Sequence, residues 1–101
     1  MAKKSAIEKN NKRRRTVARF NEKRVALKAM VADKSVSLEE RFNAQLKLSK
    51  LPRDASPVRV RNRCEVTGRP RSVYRKLKMS RISLRNLGNR GLVPGMVKSS
   101  W

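Results

Sequence analysis

The chain has 101 residues, with 28 Lys and Arg against 7 Asp and Glu, and therefore a formal net charge of +21 at pH 7. Hydrophobic residues make up 38% of it and aromatics 4%, which leaves room for one small domain and excludes a large buried core. The absence of His excludes imidazole acid–base catalysis, and the single Cys64 excludes an internal disulfide; the latter fits a reducing compartment. No apolar run approaches the ~18 residues of a membrane span. Met1-Ala2-Lys3-Lys4 leads into polar sequence and not into a signal-peptide apolar region, so a cytosolic or organelle-interior location is expected.

Self-repulsion on this scale puts the composition near the edge of disorder, and a polyanion is the natural source of counter-charge. Residues 1–33 carry 11 cations and residues 53–90 carry 12, ten of them Arg. A membrane-surface helix needs one continuous apolar face, whereas these cations are spread over both ends of the chain. An Arg-dominated set favours forked contacts with phosphates and base edges. Nucleic acid is the expected partner, with no membrane, small-molecule substrate or cofactor.

Residues 2–33 contain no Gly or Pro and are rich in Ala, Lys, Arg, Glu and Leu, which predicts a helix, continuous or kinked. Its apolar residues, Ile7, Val17, Phe20, Val25, Leu27 and Met30, are only partly periodic. The first half, through Arg13-Arg14-Arg15, is too polar to pack on an apolar surface and reads as an arm lying on phosphates. Ser37-Leu38-Glu39-Glu40 is a capping box that opens a helix ending before Pro52. Leu38, Phe42 and Leu46 recur every four residues, widened by Leu48 and Leu51. That stripe is expected to pack on Val25 and Met30 as an αα-hairpin, with Phe20 and Phe42 in the core.

The texture changes at Pro52. Arg53-Asp54-Ala55-Ser56-Pro57 predicts a turn or extended linker. From Val58 to Arg63, Arg alternates at period two, so an extended segment would project Arg59, Arg61 and Arg63 from one side. Thr67-Gly68-Arg69-Pro70 predicts a turn, and Ser72-Val73-Tyr74 a short returning strand. Residues 81–90 predict a short helix carrying Ile82, Leu84 and Leu87. Gly88, Gly91 and Pro94-Gly95 then close regular structure before a tail ending at Trp101. Tyr74 fits a stack on a base or Arg equally with a small core beside Val73, and Trp101 fits stacking on RNA or packing on a partner protein.

Cys64, Thr67, Ser80 and Ser83 are spaced two, twelve and two apart, the ligand spacing of a zinc ribbon with one thiol left. Hydroxyls are poor zinc donors at neutral pH, so no metal is expected. Ser80 is instead placed to cap the following helix through the N–H of Ile82 or Ser83, with Val73, Ile82 and Leu84 packing beside it.

The neighbours of those positions are more specific. Asn62-Arg63-Cys64, Thr67-Gly68-Arg69-Pro70-Arg71-Ser72-Val73-Tyr74-Arg75 and Met79-Ser80-Arg81-Ile82-Ser83-Leu84-Arg85 resemble the small-subunit ribosomal protein fourteen family. Leu51-Pro52-Arg53-Asp54, Ser56-Pro57, Gly91-Leu92-Val93-Pro94-Gly95, Lys98 and Ser100-Trp101 extend the resemblance over essentially the whole chain. The family has a short form with four zinc-binding cysteines and a longer form without them, and this sequence is similar to the longer one. The resemblance implies a structural role in the head of the small subunit, on the 3′ major domain of 16S rRNA near the A site. It also implies contacts with small-subunit proteins three, ten and nineteen, on a cytoplasmic bacterial ribosome or an organelle one.

The expected fold is mainly α with a small irregular or β-hairpin segment. Residues 1–51 form a helical arm and helix hairpin, and residues 52–101 form an Arg-rich, degenerate zinc-ribbon-like module without metal. The expected RNA contacts are Lys3, Lys4, Arg13, Arg14, Arg15, Arg53, Arg59, Arg61, Arg63, Arg69, Arg71, Arg75, Arg81, Arg85 and Trp101, most of them positioning the backbone and not reading bases. An architectural DNA-binding protein of the nucleoid is the alternative that charge alone leaves open. A ribonuclease is excluded by the lack of any plausible catalytic group.

Overall fold

A computed structural model of the chain describes residues 2–99. Among these the architecture is mainly helical, with α1 (Lys4–Ala32), α2 (Leu38–Ser49), β1 (Val73–Tyr74), β2 (Met79–Ser80) and α3 (Arg81–Asn89). Short 3-10 turns occupy Arg53–Ala55 and Pro57–Arg59. The chain resolves into two compact units, Lys9–Val60 and Met1–Glu8 with Arg61–Trp101.

α1 is unbroken over Lys4–Ala32, as its lack of Gly and Pro dictates. Asp33 closes the loop after it by accepting from both the backbone N–H and the hydroxyl of Ser35, at 2.9 and 2.7 Å. Ser37 caps α2 through the Glu40 N–H, and Glu39 and Glu40 sit in the first turn, where the helix dipole favours acids.

The face α2 turns inward is not the expected one. Leu38, Phe42 and Leu46 are 79%, 62% and 43% exposed, and Val25 and Met30 are exposed as well. The buried residues of α1 and α2 are Asn10, Leu27 and Ala44, with Arg41 and Leu48 half-buried. Arg41 donates to the Val31 carbonyl at 3.1 Å, tying α2 to α1. The inward line runs through Arg41, Ala44 and Leu48, spaced three and four apart and so on one side of the helix. Phe42 is therefore a surface residue. In place of a packed seam, Arg24, Lys28 and Val31 of α1 face Gln45, Leu48 and Ser49 of α2 across an open groove of about 550 Å³.

A further expectation is revised after Pro52. Val58–Arg63 is not an extended ribbon, because Pro57 starts a 3-10 turn in which the Val60 N–H donates to the Pro57 carbonyl at 3.2 Å. Proline at the first helical position favours that turn over a strand. Arg59 accordingly folds back onto Asp54, at 2.9 Å, and Arg13 of α1 approaches the same carboxylate at 3.6 Å.

The second unit is built around a doubly closed turn. The Gly68 N–H donates to the Cys64 carbonyl at 2.8 Å and the Cys64 N–H donates to the Arg69 carbonyl at 3.0 Å. The Glu65 N–H then reaches the Lys78 carbonyl at 2.9 Å, linking the turn to the β1–β2 hairpin. The hairpin is antiparallel, with Val73 opposite Ser80 and Tyr74 opposite Met79. Ser80 ends β2 and caps α3, accepting from the Ser83 N–H at 3.2 Å. Ile82 is 48% exposed and Tyr74 is exposed, so neither forms the small core expected beside Val73; the buried set here includes Cys64, Ser80, Ser83 and Val93.

The start of the chain also belongs to this unit. The Ala2 N–H donates to the Thr67 carbonyl at 3.3 Å, and Ile7 lies against Gly68. The first residues thus have an apolar surface to rest on, contrary to their reading as a purely polar arm. Gly68 has φ +80°, and a Cβ built there would stand 2.6 Å from Ile7 Cδ1. Gly68→Ala is expected to destabilise the chain by roughly 2 kcal/mol, from left-handed strain and overpacking together. Urea unfolding midpoints for the two proteins check this.

Candidate nucleic-acid interface

The basic residues divide into those held by the chain and those left to a ligand. Arg13 and Arg59 share Asp54. Three more gather on the Thr67–Pro70 turn and its exit. Arg61 donates to the Pro70 carbonyl at 3.1 Å, Arg63 to Gly68 at 2.9 Å and Arg69 to Arg71 at 3.2 Å. Each guanidinium has five N–H donors, so these bonds brace the forks without exhausting their donors. Arg63 is half-buried, with its Nε buried and unpartnered.

Lys3, Lys4, Arg14, Arg15, Arg53, Arg71, Arg75, Arg81 and Arg85 are exposed, and their charged groups have no hydrogen bond or ion pair among the described residues. Arg81 and Arg85 stand one turn apart on the outward side of α3, opposite the buried Ser83 and half-buried Leu84 and Leu87. Trp101 lies outside the described residues.

Sequence reasoning missed Arg24 and Lys28. They line the open α1–α2 groove, and the Arg24 Nε is buried without a partner, a costly state that an anion would relieve. Nothing in the sequence marks them, because the groove follows from the unexpected rotation of α2. Lys78, which sequence reasoning did not single out, approaches Glu65 at 3.9 Å.

Cys64, Thr67, Ser80 and Ser83 converge. The Cys64 thiol lies 3.5 Å from the Ser83 hydroxyl, and the Ser80 hydroxyl lies 3.3 Å from the same oxygen. Ser80 is fully buried and Cys64 is buried. Burial pushes the Cys64 thiol up, but hydrogen bonds from the Thr67 and Ser83 side chains and the Ser80 and Thr67 backbone outweigh it, lowering the pKa to about 5. One sulfur and three hydroxyls are not a zinc donor set. The cluster acts as a hydrogen-bonded clasp joining the turn to the N-terminus of α3.

A pH dependence follows from that clasp. A thiol lowered from 9.0 to about 5 on folding contributes stability that is fully present above pH 9 and lost as pH falls through 5. Stability is therefore expected to rise with pH between those limits, and Cys64→Ser should flatten the rise. Denaturant titrations of both proteins across that range measure the difference.

Comparison with known proteins fits this geometry. Residues 47–100 match the family model described as Ribosomal protein S14p/S29e. Relatives called small ribosomal subunit protein uS14 align over all 101 residues and the full length of each relative. The identity is 67% in Hyphomonas neptunium, 66% in Agrobacterium fabrum and 65% in Chelativorans sp.. The chain belongs to the S14 family of small ribosomal subunit proteins.

Proposed function

We propose that the chain is a structural constituent of the small ribosomal subunit that binds 16S rRNA in the head and holds converging RNA segments in register near the A site. It is not an enzyme, as its family membership indicates. The observation that carries the reading is the set of exposed, internally unpaired cations, Lys3, Lys4, Arg14, Arg15, Arg53, Arg71, Arg75, Arg81 and Arg85. A chain at +21 gains nothing in solubility from so many free guanidinium groups, whereas phosphates pair with them directly. Arg13, Arg59, Arg61, Arg63 and Arg69 add partly braced forks, Arg24 and Lys28 a groove, and Trp101 a terminal ring for stacking.

In this reading residues 1–51 act as the helical arm and hairpin and residues 52–101 as the Arg-rich module. The Cys64–Thr67–Ser80–Ser83 clasp is the metal-free remnant of a zinc-ribbon plan. Neighbouring contacts fall on small-subunit proteins three, ten and nineteen, in a cytoplasmic ribosome of bacterial type. Binding of RNA stabilises the folded state by mass action, which suits a chain whose buried apolar residues, Leu27, Ala44, Ala55, Cys64 and Val93 among those described, are few and small. The test is sedimentation of the tagged chain with small subunits through a high-salt wash. Release into the supernatant with free protein would refute the assignment.

A further inference from the structure

One acid stands among the candidate RNA contacts and holds two of them. Asp54 Oδ1 lies 2.9 Å from Arg59 Nη1 and 3.6 Å from Arg13 Nε, so a single carboxylate oxygen joins α1 to the 57–59 turn. Both segments belong to the Lys9–Val60 unit. Among the described residues, Asp54 is the only group with which either guanidinium pairs. The cluster is open to a ligand: the side chains of Arg13, Asp54 and Arg59 are 29%, 38% and 38% exposed.

An ion pair this accessible contributes little to stability, so folding is a poor account of the arrangement. On a surface that meets phosphates, an acid is unfavourable by charge alone, since it repels them. What it changes is the state of the two cations. Arg13 and Arg59 repel each other when brought together, and each long side chain has rotamer freedom to lose on binding. The carboxylate between them offsets the repulsion and orders both forks before a ligand arrives. It does not use them up, because its oxygens offer about four acceptor sites against five N–H donors on each guanidinium.

We propose that Asp54 is a positioning residue for RNA binding, setting Arg13 and Arg59 side by side as one receptor for a single backbone phosphate. The phosphate takes donors from both forks, and Asp54 acts only through them. Two guanidinium groups around one anion suit a phosphodiester, whose oxygens accept charge-assisted bonds from several directions. The inference rests on the RNA-binding reading above and adds to it an acid whose removal harms binding.

The test uses small subunits reconstituted without this chain and measures the affinity of the labelled full chain for them. Asp54→Ala removes one negative charge, taking the net charge from +21 to +22, so charge alone would make it bind more tightly. The expected result has the opposite sign, a loss of roughly fivefold or more. Arg59→Ala should cost about tenfold in the natural chain and less than about twofold beside Asp54→Ala, because the coupling is then already gone. Arg85→Ala, on α3, should cost the same in both backgrounds. Asp54→Glu, which keeps the charge, should recover most of the lost affinity. Thermal melts establish that each variant is folded at the assay temperature, and Asp54→Asn replaces Asp54→Ala if that one is not. A purely structural carboxylate would lower the melting point and leave the Arg59 loss alike in both backgrounds, and that result overturns the proposal. So does unchanged or tighter binding by the folded Asp54 variant. Failure of the natural chain to bind the depleted subunits defeats the ribosomal reading, and this inference with it.

Discussion

Affinity for rRNA is expected to fall with salt at a log–log slope of about −7 to −9, as neutralisation of ~10 phosphates requires. Between 50 and 200 mM salt that amounts to a loss of about 10⁴-fold or more. The structure divides the responsible residues. Arg14, Arg15, Arg53, Arg71, Arg75, Arg81 and Arg85 are exposed and their guanidinium groups have no internal partner among the described residues. Removing one of them, as in Arg75→Ala, should reduce the slope by about 1 and leave the unfolding midpoint where it was. Arg63→Ala should behave differently. Its guanidinium is half-buried and bound to the Gly68 carbonyl, so the free protein should lose about 1–3 kcal/mol of stability as well. Isothermal titrations at four salt concentrations and matched denaturation curves test both halves. A slope near −2 would mean that most of these side chains do not reach RNA.

Local signals were legible where backbone chemistry alone decides. Ser37 and Ser80 read as helix caps because a hydroxyl one residue before a helix has few other uses, and both accept the expected N–H. The uninterrupted α1, the end of α2 before Pro52 and the Thr67–Gly68 turn followed in the same way. What the sequence hid was set by tertiary competition. Two apolar lines run along α2, and Leu38–Phe42–Leu46 is the more hydrophobic; the line through Ala44 and Leu48 is the one that turns inward, and it carries Arg41 to the Val31 carbonyl. Period-two Arg from Val58 to Arg63 suggested a strand, but Pro57 and Asp54 offered a turn and a counter-ion closer at hand. The docking of Ala2 and Ile7 on the Thr67–Gly68 turn involves residues some sixty positions apart, beyond the reach of any local pattern. The candidate RNA contacts were legible by type, and their division into braced and free groups was not, since a guanidinium's partner is decided by which carbonyls the fold leaves nearby.

Replacing Thr67, Ser80 and Ser83 together by Cys should give a chain that holds one zinc ion, whereas the natural chain holds none. The clasp already has nearly the required dimensions: 3.5 Å from the Cys64 sulfur to the Ser83 oxygen and 3.3 Å between the Ser80 and Ser83 oxygens. A tetrahedral zinc with bonds of about 2.3 Å places its sulfurs roughly 3.8 Å apart. The longer C–S bonds and a few tenths of an ångström of relaxation cover that difference. Thr67 already bonds to the Cys64 thiol, so the fourth donor needs no rebuilding of the turn. Without metal the variant should be much less stable than the parent. It loses the Ser80 cap, worth about 1 kcal/mol, and packs larger, mutually repelling thiolates into a site where Ser80 is fully buried. With zinc that loss should be reversed several times over, since structural zinc sites in small domains bind with roughly 10–16 kcal/mol at pH 7. Elemental analysis and thermal melts with and without chelator read the result. A variant that takes up no zinc would show that the four positions, though adjacent, are not arranged as a ribbon's ligands. Stoichiometric zinc in the natural chain would mean that hydroxyls can serve here after all.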